Sequence, residues 1–227
     1  MARVRRVAGT QERLLASPYT INQPHAQRGH WQDNFPPPQP LVIEIGSGRG
    51  RWLYTAAKRH PELNFLGIDV VPEIIMDAID DYAEKTGAPE QVRFLWLDAE
   101  HLDEIFAPGE VSDIYLHFSD PWPKSRHAKR RLTSTEFLSR YEKVLPPQGL
   151  VEFKTDNTPL FDFSLEQEFF DWSVEEFTEC GWRLEDVTHD LYANLPENNI
   201  ATEYERRFHK RGIPICSLHA YPPHKAE

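Results

Sequence analysis

The sequence predicts an α/β protein built on a doubly wound, mostly parallel sheet. Three observations carry that prediction. Short apolar runs recur at residues 41–45, 64–69, 92–98, 113–118 and 150–154, rich in β-branched and aromatic residues, as suits strands buried on both faces. Segments of helical character separate them, and strands alternating with helices imply parallel crossovers. A glycine-rich turn follows the first run at once, at the edge where such sheets bind ligands.

The elements follow in order. Residues 1 to about 30 show weak periodicity and read as a mobile arm that offers Arg3, Arg5, Arg6 and Arg13 to phosphates. Residues 35–40, with four prolines, form a stiff extended approach to the first strand. After the strand at 41–45, a helix over 52–60 is stopped by Pro61. The strand at 64–69 leads to Pro72, which opens a helix to about 86, with Gly87 as its stop. Thr133 or Ser134 caps a helix to 144, with Glu136 near the reciprocal capping position. An acidic, aromatic-rich segment from about 159 to 180 reads as helix. Residues 182–189 and 202–209 read as two last strands, joined by a polar loop through Asn194, Pro196, Asn198 and Asn199. No repeat or linker divides the chain. The expected division is a basic arm and proline-rich lead-in over 1–40, then a single domain over 41–227, long enough for a real core.

Composition narrows the setting. No apolar run is long enough to span a membrane, and the basic start leads to no apolar signal core. Cys180 and Cys216 are the only cysteines, which makes no disulfide framework and predicts a cytoplasmic protein. No Cys/His spacing resembles a zinc site, so no metal is expected. The net charge is -11, but the charge is segregated. From Asp156 to Glu205 there are fourteen acids and one arginine, whereas basic residues gather at 3–13, 124–131 and 206–211. Such a chain can bind phosphates on one face and stay acidic overall.

Two stretches carry chemistry. In the first, Gly46, Gly48 and Gly50 let the backbone approach a ligand and expose amides at a helix start. Arg51 stands where a dinucleotide fingerprint wants its third glycine. Glu44 lies inside the strand before the turn, where a buried acid needs a cation or donors. The ammonium of S-adenosylmethionine would supply one, and a pyrophosphate would be repelled. Glu44, Asp69, Asp98 and Asp120 fall at the carboxyl ends of four successive strands. This favours S-adenosylmethionine over NAD, with Asp69 on the ribose and Asp98 on the adenine amine. In the second, residues 119–132 place Asp120, Trp122 and the cations Lys124, Arg126, Lys129, Arg130 and Arg131 after the fourth strand. Prolines on both sides of Trp122 predict an extended backbone there. An acid beside a basic cluster suggests chemistry on an anionic polymer.

These motifs resemble those of the bacterial tRNA (guanine-N7-)-methyltransferases. The resemblance rests on residues 44–50, 119–132, 153–157 and 202–205, in order and spacing from about 40 to 220. It implies a class I Rossmann-like S-adenosylmethionine-dependent methyltransferase fold, with a mostly parallel seven-stranded sheet and helices on both faces. It implies methylation of guanine N7 in the tRNA variable loop, without an obligatory protein partner, by a monomer or homodimer. Carried over by position, Glu44, Gly46, Gly48, Asp69, Asp98 and Asp120 bind the cofactor, and Asp120 is the catalytic acid. Lys124, Asp156, Thr202, Glu203, Tyr204 and Glu205 match substrate-binding positions. Arg126, His127, Ala128, Lys129, Arg130 and Arg131 match the RNA-contact segment. The chain departs from the pattern at Asp69, one methylene shorter than the usual Glu, at Trp52, at His117 in place of a frequent Asn, and at Val70-Val71-Pro72. The rival readings are a methyltransferase of the same fold acting on another RNA, a non-catalytic RNA-binding subunit, and a nicotinamide oxidoreductase. Four crevice acids disfavour the subunit, which would have no use for them.

Overall fold

The computed structural model describes residues 6–86, 90–161 and 177–223. Seven strands form one sheet: β1 (Leu41–Ile45), β2 (Asn64–Asp69), β3 (Val92–Trp96), β4 (Asp113–His117), β5 (Leu150–Thr155), β6 (Arg183–Thr188) and β7 (Cys216–Tyr221). Their order across the sheet is β3-β2-β1-β4-β5-β7-β6. The first five are parallel, and β7 runs antiparallel to β5 and β6. The chain winds outward from β1 to β3 and then returns to β4, which pairs with β1 on its other side. The point of reversal is thus the crevice between the ends of β1 and β4, where open α/β sheets bind ligands.

The helices are α1 (Thr10–Ala16), α2 (Arg51–Arg59), α3 (Pro72–Thr86), α4 (Leu102–Ile105), α5 (Thr135–Val144), α6 (Thr158–Phe161) and α7 (Glu203–His209). Two apolar clusters sandwich the sheet. One joins Ile43, Ile45, Leu116 and Phe153 to Leu138 and Tyr141 of α5 and to Trp31 and Phe35. The other joins Val42 and Phe65 to Trp52 and Leu53 of α2, Ile75 and Ile79 of α3, and Leu14 of α1. Gly67 of β2 is what lets α2 lie close. A Cβ there would sit 2.6 Å from Leu53 Cδ1 and 2.8 Å from Ser47 Oγ. No helix of the described residues is long and apolar enough to cross a membrane.

The structure corrects four expectations. Residues 202–209 are not a strand. Thr202 accepts from the Glu205 amide, and Glu205 accepts in return from the Thr202 amide, a capping box that starts α7. The seventh strand is Cys216–Tyr221 instead. The segment before β1 is not free along its length. Leu14, Ile21, Trp31 and Phe35 are buried, Ile21 donates its amide to Phe94 O on β3, and Arg13 pairs with Asp80 of α3 at 3.1 Å. Its apolar residues are spaced at no period because they pack singly into distant elements. Nor is Trp122 extended: its φ is +41°, in the left-handed region. Finally, Ser134 stands at the N-cap of α5 without a side-chain capping bond, and Glu136 pairs with Lys129 instead. Arg3 and Arg5 of the expected arm, and residues 162–176 of the helix expected over 159–180, lie outside the described residues.

Candidate active site

The crevice is built from two loops. After β1, Gly46, Gly48 and Gly50 all have positive φ (+74°, +53° and +63°). Gly46 and Ser47 donate to Ile68 O, and the Gly48 amide donates to Asp69 Oδ2 at 3.1 Å. Asp69 Oδ1 accepts from Val71 at 2.9 Å, so both oxygens of this acid are engaged at the end of β2. Burial raises the pKa of Asp69 against the amides of Val71 and Gly48, and the Asp120 charge adds to the rise. Asp98 is exposed beyond β3, where it caps a 3₁₀ turn by accepting from the Glu100 amide.

Glu44 lies deeper. It is 3 % exposed, and its Oε1 accepts from His117 Nδ1 at 2.9 Å. Its Oε2 is buried and has no partner. Burial raises its pKa more than His117 lowers it. Nothing comes within 4 Å of a Cβ built on Gly46. A buried anionic oxygen lacking a donor, beside an open glycine turn, suits a ligand that brings a cation and approaches the backbone. S-adenosylmethionine, with an ammonium and a sulfonium, fits this donor set.

The loop after β4 holds the second half. Phe118 donates its amide to Lys154 O and has φ +53°. Together with Trp122 it gives two bulky residues in a region such side chains rarely occupy. Asp120 follows Phe118 and is half-buried, and burial raises its pKa. Residues Ser125–Arg130 form a 3₁₀ turn. Lys124, Arg126, Lys129 and Arg130 are exposed on it, and the Arg130 guanidinium lies over the Trp122 ring at 5.1 Å. Desolvation and the cations Arg126, Arg130 and Lys124 hold His127 below its ordinary pKa. Ala128 is half-buried; its carbonyl accepts from the Arg131 amide. Arg131 differs from its neighbours. It is 2 % exposed, and its guanidinium donates to Pro121 O and Trp122 O, both at 3.3 Å. It holds the loop rather than facing solvent.

The residues matching substrate positions divide in the same way. Asp156 follows β5, its pKa raised by burial and eased by the Arg211 charge. Tyr204 on α7 is 57 % exposed and stacks on Phe118, with ring centroids 6.0 Å apart. Phe208 backs the same ring at 5.9 Å. Glu203 is exposed and pairs with Arg51, at the start of α2, at 3.0 Å. Thr202 and Glu205 are buried in the capping box. Glu205 also accepts from Asn199 at 2.8 Å and Tyr192 at 3.1 Å, so it anchors α7 rather than opening to the crevice.

One arrangement was missed in the sequence. Glu44, His117, Glu152, Lys154 and His219 share one sheet face, because register pairs Glu44 with Tyr115, His117 with Lys154, and Glu152 with His219. His117 Nε2 bonds Glu152 Oε1 at 3.0 Å, Lys154 Nζ lies 3.1 Å from the same oxygen, and Lys154 donates to Asn199 Oδ1 at 2.6 Å. Burial would raise Glu152, but His117, His219 and Lys154 outweigh it and hold its pKa well below the usual range. Charges inside the apolar runs at Glu152 and Lys154 were the available signal.

Comparison with known proteins agrees with this geometry. A family model described as "Putative methyltransferase" matches residues 38–218. The tRNA (guanine-N(7)-)-methyltransferase of Lachnoclostridium phytofermentans is 44 % identical over 220 residues, 96 % of this chain and 98 % of the relative. The enzyme of the same name from Streptococcus mutans is 41 % identical over 219 residues, 96 % and 99 % of the two chains. Among solved structures, the 16S rRNA methyltransferase KamB superposes with a TM-score of 0.62 at 18 % identity, covering 86 % of this chain and 92 % of its own. A 16S rRNA (adenine(1408)-N(1))-methyltransferase from Catenulisporales acidiphilia, solved with its cosubstrate SAM, gives 0.57 at 14 % identity, covering 91 % and 94 %. At such identities the structures speak for the fold alone, a class I Rossmann-like one. The relatives match along nearly their whole length, and the chain belongs to the bacterial tRNA (guanine-N(7)-)-methyltransferase family.

Proposed function

We propose that this chain transfers the methyl group of S-adenosylmethionine to N7 of a guanine in the variable loop of tRNA. The observation that carries the reading is the buried, unpartnered oxygen of Glu44 at the switch point, across from the acid and basic turn that follow β4. When bound, S-adenosylmethionine supplies a methyl group on a sulfonium, already activated for transfer. Guanine N7 carries a lone pair, so no strong base is needed. The N7–C bond forms as the C–S bond breaks, and the purine gains the positive charge the sulfur loses. The work left to the chain is alignment and electrostatics.

Asp120 and Asp156 do the electrostatic part. Each is half-buried with a raised pKa, so each gains from a donor or a positive charge placed against it. Guanine N1–H and its 2-amino group are such donors, and adenine lacks that pair. The exposed Tyr204 ring gives an everted base a surface to stack on. Lys124, Arg126, Lys129 and Arg130 meet phosphates. The enzyme works in the cytoplasm, where its two cysteines stay reduced, as a monomer or homodimer that needs no protein partner.

The test is methyl incorporation from labelled S-adenosylmethionine into an unmodified tRNA transcript, beside one whose variable-loop guanine is replaced by adenine. Incorporation into the first alone is expected. Equal incorporation into both would move the target elsewhere.

A further inference from the structure

His117 is held on two sides. Its Nδ1 lies 2.9 Å from Glu44 Oε1 and its Nε2 lies 3.0 Å from Glu152 Oε1, with the ring side chain 3 % exposed. Both partners are acceptors when ionised, and a neutral imidazole has only one N–H to give them. The groups around the ring are few. From α2 it meets only the Trp52 ring, at 5.0 Å, and from its own strand the Tyr115 ring, at 5.6 Å. From β1 it meets Glu44, and from β5 it meets Glu152 with Lys154 close behind.

The row has three carboxylates, Glu44, Glu152 and Glu205, and Lys154 reaches Glu205 at 3.6 Å as well as Glu152 at 3.1 Å. At the far side His219 lies 3.3 Å from Glu152 Oε2 and 3.0 Å from the exposed Asp186. The cationic partners thus gather at Glu152 and Glu205, and Glu44 is the carboxylate left short. Glu152 has three cationic or donor partners. Glu44 has one, on one oxygen, and its other oxygen is buried with none.

We propose that His117 is a positioning residue for the cofactor: as an imidazolium clamped by Glu152, it fixes one oxygen of Glu44 and leaves the other for the ammonium of S-adenosylmethionine. The proposal rests on the methyltransferase reading and deepens it. The ammonium supplies the partner that Glu44 Oε2 lacks, and His117 sets where that ammonium sits. The direction of the His117 pKa agrees: burial alone would lower it, yet the bonds to Glu152 and Glu44 carry it above its ordinary value.

The experiment is calorimetric binding of two ligands to wild type and to His117→Ala and His117→Asn. S-adenosylmethionine carries the ammonium. 5′-Methylthioadenosine keeps the adenosine and the sulfur, as an uncharged thioether, but lacks the aminocarboxypropyl arm that carries the ammonium. His117→Ala is expected to weaken S-adenosylmethionine about tenfold or more, as for loss of a charge-assisted bond, and to leave 5′-methylthioadenosine within about twofold. His117→Asn, which keeps one donor, is expected to fall between. Equal weakening of both ligands, or of neither, would overturn the assignment. Should the alanine variant not fold, the asparagine variant carries the same comparison. Independently, ring nitrogen NMR of the unliganded wild type is expected to show both nitrogens of His117 protonated at pH 7; one bare nitrogen would overturn it. A wild type that binds neither ligand would sink the methyltransferase reading itself, an outcome distinct from a wild type that binds both and variants that bind unchanged.

Discussion

The two loops that face each other across the crevice solve the same geometric problem by opposite means. Both turn the chain sharply after a parallel strand, and both do so through left-handed backbone. The loop after β1 uses glycines, for which that backbone is cheap. The loop after β4 uses Phe118 and Trp122, for which it costs on the order of 1–3 kcal/mol each. The first loop leaves its backbone open, with nothing within 4 Å of a Cβ built on Gly46. The second has to present side chains, so it keeps them and accepts the strain. Its compensation is visible: Arg131 draws in the Pro121 and Trp122 carbonyls, and the Phe118 ring is stacked by Tyr204 and Phe208. One loop is opened by its glycines, the other is shaped by the enforced placement of its side chains.

Substitutions can break this contrast at either loop. The largest effect is expected at Asp120, whose half-buried carboxylate belongs to the second loop's displayed set. Asp120→Ala should lower kcat/KM for tRNA on the order of 10²–10³-fold. Its melting temperature should stay near wild type, because burial already disfavours the Asp120 carboxylate and removing it relieves that cost; near-normal turnover would take Asp120 out of the mechanism. Next comes Arg131→Ala, which strands two carbonyls and is expected to cost about 2–3 kcal/mol in denaturant unfolding. Methyl transfer should fall while S-adenosylmethionine affinity holds, since the loop after β1 is supported separately by Asp69. Arg131→Lys should not restore it, because an ammonium cannot fork to both carbonyls. If cofactor affinity falls in parallel, the two loops are not independent.

A smaller effect is expected from changing Arg126, Lys129 and Arg130 together to Ala. Binding of tRNA should weaken roughly tenfold, and the log–log salt slope should shrink by about two. An unchanged slope would make the turn a solvated surface only. The smallest effect belongs to the glycine loop. Gly48→Ala has room for its Cβ, whose nearest neighbour is Gly46 O at 3.9 Å, so only the φ of +53° opposes it. A loss of about 1 kcal/mol in thermal unfolding is expected. A loss beyond about 3 kcal/mol would mean that the first loop, too, depends on tight packing.

The sequence shows the five parallel strands and the edge strand β6, and misses β7, which lies between β5 and β6. The strands at β1 to β5 stand out because they are short, apolar and punctuated by Gly and Pro. Glu44 stands out because an acid inside such a run demands a partner. Residues 202–209 mislead because Thr-Glu-Tyr-Glu alternates like a strand, although Thr202 and Glu205 also have capping-box spacing. The last strand is hidden because its inward positions on one face, Ser217 and His219, are polar. Arg131 is indistinguishable in the sequence from Arg130, and only burial separates the one that holds the loop from the one that faces solvent. The row from Glu44 to Glu152 joins residues 73 and 35 positions apart, a proximity that strand register alone creates.

That row also acts as a key for assembling the sheet. Side chains alternate along a strand, so sliding β5 by one residue against β4 would turn Glu152 and Lys154 into the apolar layer around Phe161 and Leu138, and bring Val151 and Phe153 against His117. Two charges would then lie among hydrocarbon, and His117 would lose Glu152 as its counterion. An all-apolar row would make such a slip far less costly. The same side chains that place one oxygen of Glu44 thus make misaligned pairings of the central strands expensive, and tie correct folding of the sheet to the competence of its crevice.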